Sequence, residues 1–337
     1  MTATEPDIVQ TVSSPPVPLA IEATELRKTY PKGVRALDGL TIAVPRGAIF
    51  ALLGPNGAGK STTVKILTTL ARADSGTARV AGLDVLREAR LVRHLIGCVS
   101  QKSTVDAEST GRENLTLQGQ FYGLRGAELK RRVTNLLDRF GLSDAAHRVA
   151  RTYSGGMQRK LDVAMALIHR PQVLFLDEPT TGLDPEARAN LWAEIAQLNS
   201  EGLTILLTTH YLEEADQLAR EVAIVDRGRI VAQGAPEDLK AELRGDSVQV
   251  ELAAPAALSE VEAALSGVGT VREVQVSDSV LYARADHGAS AVPAILSALE
   301  AAGFRAAAVR VARPTLDDVY LRHTGRTIEQ AEKGESK

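Results

Sequence analysis

The chain has 337 residues, 44% hydrophobic and 24% charged, enough to bury one large core and one small one, so two folded domains are expected. Thirty-nine Lys and Arg against 42 Asp and Glu leave a net charge of −3 with no long basic run, which argues against nucleic acid as the main partner. No apolar stretch approaches the roughly 20 residues that cross a bilayer; the one cysteine, Cys98, excludes an internal disulfide and suits a reducing compartment.

Residues 1–18 hold Glu5, Asp7 and four prolines, without a basic start leading into an apolar segment, so they read as a disordered tail rather than a secretory signal. From about Leu19 to Leu243, short apolar runs alternate with helical patterns, the order of an α/β domain on a largely parallel sheet. The strand Ala48–Leu53 runs into Gly54-Pro55-Asn56-Gly57-Ala58-Gly59-Lys60-Ser61 and then a helix to about Leu70, the setting a phosphate-binding loop requires. Its glycines let backbone N–H groups turn inward around phosphate oxygens, and the helix start adds a positive dipole end. Lys60 places a full charge on the β and γ phosphates, and Ser61 offers a hydroxyl to Mg²⁺. A Gly-rich turn that only caps a helix is the plain alternative; the flanking strand and helix favour nucleotide.

Cys98, between Gly97 and Val99, reads as an inert buried strand thiol. Leu129, Val133, Leu136, Leu137 and Phe140 recur at helical spacing between Ala127 and Phe140, and Gly141 stands where a left-handed cap would end that helix. Tyr153-Ser154-Gly155-Gly156-Met157-Gln158 precede a helix carrying Leu161, Ala164 and Ile168, and offer a hydroxyl and backbone donors to an anion; alone, Ser-Gly-Gly is only a turn. The apolar strand Val173–Leu176 ends in Asp177-Glu178. Two acids there are either solvated or, beside a phosphate loop, the metal's carboxylate and the group that polarises the attacking water. Asp184 is placed to cap, and Pro185 to open, a helix reaching Leu198 on which Trp192 reads as packing. The strand Leu203–Thr208 follows, then a hairpin turn at Asp226-Arg227-Gly228-Arg229 and a short helix from Pro236 ending near Gly245. From about Ser247 to Val311 the order strand, helix, strand, strand, helix, strand suggests a small α+β domain of ferredoxin-like type, with Val292, Ile295, Leu296 and Leu299 on one helix face. Beyond Arg326 the charged chain is expected to fray.

The phosphate loop, Gln101, Ser154-Gly155-Gly156, Asp177-Glu178, Leu183-Asp184 and His210 stand in the order and spacing of ABC transporter ATP-binding subunits, which the chain resembles over roughly residues 20–240. Tyr153 to Met157, Ala71 to Val80 and Asp317-Asp318-Val319-Tyr320 look most like drug-resistance exporter subunits of the daunorubicin type. The resemblance implies ATP and Mg²⁺ as ligands, cradled by Gly54, Pro55, Asn56, Gly57, Ala58, Gly59, Lys60, Ser61 and Thr62, with Tyr30 stacked on adenine. It gives Ser61, Gln101 and Asp177 to the metal, and Lys60, Gln101, Glu178 and His210 to hydrolysis. In that reading Gln101 touches Mg²⁺ and the attacking water, the loop Lys102–Thr110 senses a membrane partner, and His210 hydrogen-bonds the γ-phosphate. Tyr30 as a half-buried strand-end residue, Gln101 as a surface amide and His210 as a structural imidazole are the plain alternatives, and Asp184 serves equally as a helix cap.

Two positions depart from the usual family pattern, Tyr153 in place of Leu and Met157 in place of Gln; neither removes the Ser154 hydroxyl. Within the family, Ser154, Gly155 and Gly156 of one copy contact the γ-phosphate held by another. One loop and one signature per chain thus imply a two-chain site, a homodimer in the first instance, and poor hydrolysis by a lone monomer. The implied architecture is a P-loop NTPase domain at 19–245, with a helical subdomain at about 105–160, then a regulatory C-terminal α+β domain at 246–325 and frayed tails at 1–18 and 326–337. The implied function is the motor of an exporter at the cytoplasmic face of the cell membrane, driving efflux of a drug-like or lipid-like substrate through separate integral membrane permease subunits. The first alternative is a soluble ABC ATPase acting on ribosomes or nucleic acid; the chain lacks the second ATP-binding half with its basic linker, and the coiled-coil insertion, of such relatives. A low-turnover regulatory module is the other, opposed by intact Glu178 and His210.

Overall fold

The computed structural model describes residues 18–335 apart from 244 and 278, so the tail expected over residues 1–18 lies, but for Pro18, outside the described residues. The runs Ile49–Leu53, Val173–Asp177 and Thr204–Thr209 are buried at every position, which requires cover on both faces of a sheet. They form the centre of a six-stranded sheet ordered Arg229–Gly234, Glu221–Asp226, Ile49–Leu53, Thr204–Thr209, Val173–Asp177, Ile96–Val99. All neighbours are parallel except the hairpin pair at one edge, whose turn residues Arg227 and Gly228 take φ of 47° and 78°.

The largely parallel expectation holds for this sheet alone. A second, four-stranded antiparallel sheet is ordered Val34–Pro45, Leu19–Tyr30, Ser75–Val80, Leu83–Asp84. Its inward residues, among them Ile21, Leu26, Leu40 and Val44, share a core with Phe50, Leu52 and Phe175 on one face of the central sheet. The opposite face, with Leu53, Leu176 and Leu207, packs against the helices Gly111–Phe121, Gly126–Arg139, Gly155–Ala166 and Pro185–Ser200 through Leu115, Val133, Leu161 and Ile195. Helix Gly126–Arg139 buries the Leu129, Val133, Leu136 and Leu137 stripe, and Gly141 follows at φ 65°.

Strands Asp246–Leu252, Val271–Ser277, Val280–Ala285 and Ala306–Ala312, with helices Leu258–Leu265 and Gly288–Ala301, make a separate unit with its own core. Its sheet order is Val271–Ser277, Val280–Ala285, Asp246–Leu252, Ala306–Ala312, antiparallel throughout. The helix Leu316–Thr324 that follows packs elsewhere: Leu316, Val319 and Tyr320 join Leu239 and Leu243 in the core of the ATPase-like part. Its Asp318 also accepts a hydrogen bond from Ser247 (3.0 Å), so the helix touches both units.

Beyond Arg326 the structure differs from the frayed tail expected. Residues Ile328–Glu335 are helical, with Ile328 and Ala331 buried against the same core. A reciprocal cap starts this helix, Thr327 N–H donating to Gln330 Oε1 (2.9 Å) and Gln330 N–H to Thr327 Oγ1 (3.3 Å), a local signal that charge content hides. Among the described residues no helix is long and apolar enough to cross a membrane.

Candidate active site

The loop Gly54–Ser61 joins the buried strand Ile49–Leu53 to the helix Lys60–Leu67. Two of its glycines answer to packing. A Cβ on Gly54 would lie 2.2 Å from the Val225 carbonyl oxygen, and one on Gly59, where φ is 110°, 2.5 Å from that of Ala36. The hairpin turn seals the loop from behind, because Gly228 N–H donates to the Ala58 carbonyl (2.8 Å) and the Gly228 carbonyl accepts from Asp38 N–H (2.9 Å). Lys60, buried, donates to the carbonyls of Gly54 (2.6 Å) and Pro55 (2.9 Å), and its Nζ lies 3.7 Å from Glu178 Oε1.

Strand Val173–Asp177 delivers the two acids to the same place. Asp177 Oδ1 accepts from Ser61 Oγ (3.1 Å) and from Thr208 Oγ1 (2.6 Å). Glu178 turns out of the strand with φ 48°, held there by its own N–H donating to the carbonyl and hydroxyl oxygens of Thr208, both at 3.1 Å. Its carboxylate accepts from Gln101 Nε2 (3.0 Å) and Thr181 Oγ1 (3.3 Å), and His210 Nδ1 stands 3.5 Å away. The neighbouring His210, then the Lys60 ammonium, hold the Glu178 carboxyl below its ordinary range against the opposing effect of burial, so it is an anion at neutral pH.

Lys60, Ser61, Gln101, Asp177, Glu178 and His210 are thus brought into one cluster. Tyr30, Asp184 and Ser154–Gly156 make their contacts elsewhere. Tyr30 ends its strand with the Lys28 ammonium 5.7 Å from its ring centroid. Asp184 caps the helix Pro185–Ser200 through Ala187 N–H (2.9 Å). Ser154 caps Gly155–Ala166 through Met157 N–H (3.3 Å); Ser154 and Gly155 are exposed, and a Cβ on Gly156 would meet that of Ala187 at 3.0 Å. Tyr153, at the departure from the usual pattern, is buried and donates its hydroxyl to the Ala145 carbonyl (2.7 Å).

Sequence reasoning missed two supporting groups. Arg159, buried, donates to the carbonyls of Pro179 (2.7 Å), Ser100 (2.6 Å), Asp177 (3.1 Å) and Glu178 (3.2 Å), tying the signature helix to both acids and to the residue before Gln101. Glu214 accepts from Thr180 (2.8 Å) and Trp192 Nε1 (3.0 Å), which gives Trp192 a polar partner as well as packing. Only the helical position of Arg159, four residues after Gly155, was visible in the sequence. Cys98 is exposed rather than buried, because the strand Ile96–Val99 is the edge of its sheet; desolvation in the recess beside Tyr122 and His169 still pushes its thiol up to about 11, so it stays protonated.

Two hard oxygens, Ser61 Oγ and Asp177 Oδ1, at the mouth of a phosphate loop fit Mg²⁺, which keeps most of its waters and takes one or two protein ligands alongside phosphate. Among the described residues no group of three or more His, Cys, Asp or Glu could hold a metal, so phosphate oxygens and water would complete the shell.

The ABC transporter family profile matches residues 37–181, and that of the C-terminal domain of DrrA1-3-like ATP-binding proteins matches residues 234–324. The daunorubicin resistance ATP-binding protein DrrA3 of Streptomyces coeruleorubidus is 46% identical over 86% of this chain and 92% of its own length. The chain belongs to the ABC transporter ATP-binding subunits of daunorubicin-resistance type. The daunorubicin/doxorubicin resistance ATP-binding protein DrrA of Streptomyces peucetius is 43% identical over 91% of this chain and 92% of its own. CbiO1 of Clostridium perfringens, described as part of the ABC transporter complex cbiONQ, superposes with a TM-score of 0.62 at 27% identity over 66% of this chain and 91% of that one. As an ABC ATPase of this type, the subunit hydrolyses ATP in a cycle coupled to transport.

Proposed function

We propose that two copies of this subunit clamp two Mg²⁺-ATP molecules between them and drive drug-like or lipid-like efflux through separate membrane permease chains at the cytoplasmic face. The observation that carries this reading is a division of labour. The triphosphate-handling groups converge within one chain, while Ser154 and Gly155 stand exposed at a helix start away from that cluster. The cavity over the loop, walled by Pro55–Thr62 and Glu178, is about 120 Å³, short of the roughly 300 Å³ or more of a complete ligand pocket, which supports a site finished by a second surface.

In the closed pair, the loop N–H groups and Lys60 hold the β and γ phosphates, and Tyr30 lies against adenine. Lys60 exchanges its contacts with the Gly54 and Pro55 carbonyls for phosphate oxygens. Mg²⁺, held by Ser61 and Asp177 with Gln101 nearby, neutralises charge on the phosphates when bound. Glu178, anionic and aimed by Gln101 and Thr181, orients and polarises the attacking water, while His210 hydrogen-bonds the γ-phosphate. The partner's signature, supplied by its own copy of Ser154, stabilises the same phosphate; loss of γ-phosphate removes the bridge and lets the pair open. Docking of the permease falls to the face around the Lys102–Thr110 loop, where Leu70, Leu117 and Phe121 are exposed. Export and the class of cargo rest on the kinship with drug-resistance subunits.

Glu178→Gln tests the central assignment. The variant should bind ATP with near-normal affinity, accumulate as a nucleotide-held dimer on size exclusion and lose turnover by at least about 10²-fold. Hydrolysis within a few-fold of the parent would remove Glu178 from its role.

A further inference from the structure

The central sheet has two ends, and the reaction described above uses one of them. At the other, the first residues of two buried strands, Val173 and Thr204, open onto a cavity of about 670 Å³, within the size range of small-molecule sites. Leu136, Leu167, Pro171, Leu198 and Leu203 give it apolar walls. Its charged lining is four arginines, Arg46, Arg132, Arg139 and Arg170, against one acid, Glu201.

That acid is already committed, since Glu201 receives both arms of Arg139, at 2.7 and 2.8 Å. Arg132 spends its donors on the carbonyls of Ile168 (3.1 Å) and Leu167 (3.0 Å), and among the described residues faces no carboxylate within ion-pair distance. Desolvation, then the neighbouring Arg170 charge, lower its pKa, with Glu128 opposing. Arg46 and Arg170 make no ion pair or side-chain hydrogen bond among the described residues. Three cations without a matching acid, Arg46 and Arg170 exposed and Arg132 half-buried, therefore line one partly apolar recess, which gives it the positive potential and the apolar wall that an organic anion would use.

We propose that this cavity binds an organic anion, a compact apolar body carrying a sulfate, phosphate or carboxylate group held by Arg46, Arg132 and Arg170 in charge-assisted hydrogen bonds. The bound molecule would bridge the helix Gly126–Arg139, the starts of both central strands, Ala20 of the antiparallel sheet and Ala81 in the turn after its strand Ser75–Val80.

Naphthalene-2-sulfonate is a suitable probe, titrated calorimetrically into the full chain with excess ADP present to fill the phosphate loop. Saturable one-to-one binding that weakens as salt rises is expected, with no binding of neutral 2-naphthol at the same concentrations and competition by inorganic sulfate only at far higher ones. Arg46→Gln and Arg170→Gln, at exposed positions away from the phosphate loop, should each weaken the sulfonate by about ten-fold or more without moving the unfolding midpoint. Absence of saturable binding, equal affinity for 2-naphthol, displacement by equimolar sulfate, or unchanged affinity in both variants overturns the proposal.

Discussion

Arg159 is the most heavily committed side chain near the reaction centre, because each carbonyl it holds belongs to a residue at or beside a candidate catalytic position. Arg159→Leu removes the guanidinium that all four oxygens share in a buried setting, leaving the Glu178 carbonyl only Thr181 N–H at 3.4 Å, and should lower stability by about 3 kcal/mol or more, read as a shift in the urea midpoint. Arg159→Lys, which restores one charge but not the fork, should recover only part of it. Glu214 supplies a pH test. Burial raises its pKa above the ordinary 4.5, against hydrogen bonds donated by Thr209, Trp192 and Thr180. The folded state therefore binds the proton more tightly than the unfolded chain. The stability this gives is complete below pH 4.5 and is lost as pH rises through the folded value. Glu214→Gln keeps an acceptor for Trp192 and removes the titration, so its Tm relative to the parent should improve from pH 4.5 towards neutrality; a constant difference would show that Glu214 titrates normally.

Among the elements, the hairpin Glu221–Asp226 to Arg229–Gly234 acts as a brace behind the phosphate loop. A Cβ on Gly228, at φ 78°, would lie 2.7 Å from the Ala36 carbonyl oxygen and 2.8 Å from Leu37 Cα. Gly228→Ala should cost about 3 kcal/mol through overpacking and strain together, and raise the KM for ATP by displacing Ala58; unaltered ATP kinetics would show that the brace and the loop are uncoupled. The far side of this hairpin is held by Tyr320 Oη and Arg326, which donate to Asp226 at 2.9 and 3.0 Å. The hairpin turn was legible in the sequence, but its bracing contacts were not, for a physical reason. The phosphate loop and the Asp177-Glu178 strand end are contiguous and carry their own glycines, charges and apolar runs, whereas Gly228 meets Ala58, and Tyr320 meets Asp226, across long separations that no local pattern reports. The antiparallel sheet escaped for a related cause: register shifts near Ala23, Leu26 and Lys28 break the alternation that would have announced it. Cys98 looked buried because an edge strand and an inner one share the same apolar composition.

For the whole molecule, a two-chain site makes a prediction that no single chain can fulfil. Lys60→Ala and Ser154→Ala should each be nearly inactive alone. Mixed in equal amounts they should recover about a quarter of the parent rate, since half the dimers are mixed and each holds one intact loop facing one intact signature. No recovery on mixing, with dimers verified, would place Ser154 outside the reaction. Truncation at Gly245 removes Leu316, Val319, Tyr320, Ile328 and Ala331 from the larger core and should lower Tm and promote aggregation of the remaining ATPase domain. The accessory unit is therefore moored at both ends, entering from the Leu243 region and returning through Leu316–Thr324, more an inserted module than a pendant. That has a bearing on biogenesis: residues beyond the accessory unit complete the core of the domain that precedes it. A nascent chain keeps an oily seam open on its ATPase domain until Leu316 to Ala331 have emerged from the ribosome, so closure of that core waits on residues made well after the catalytic ones.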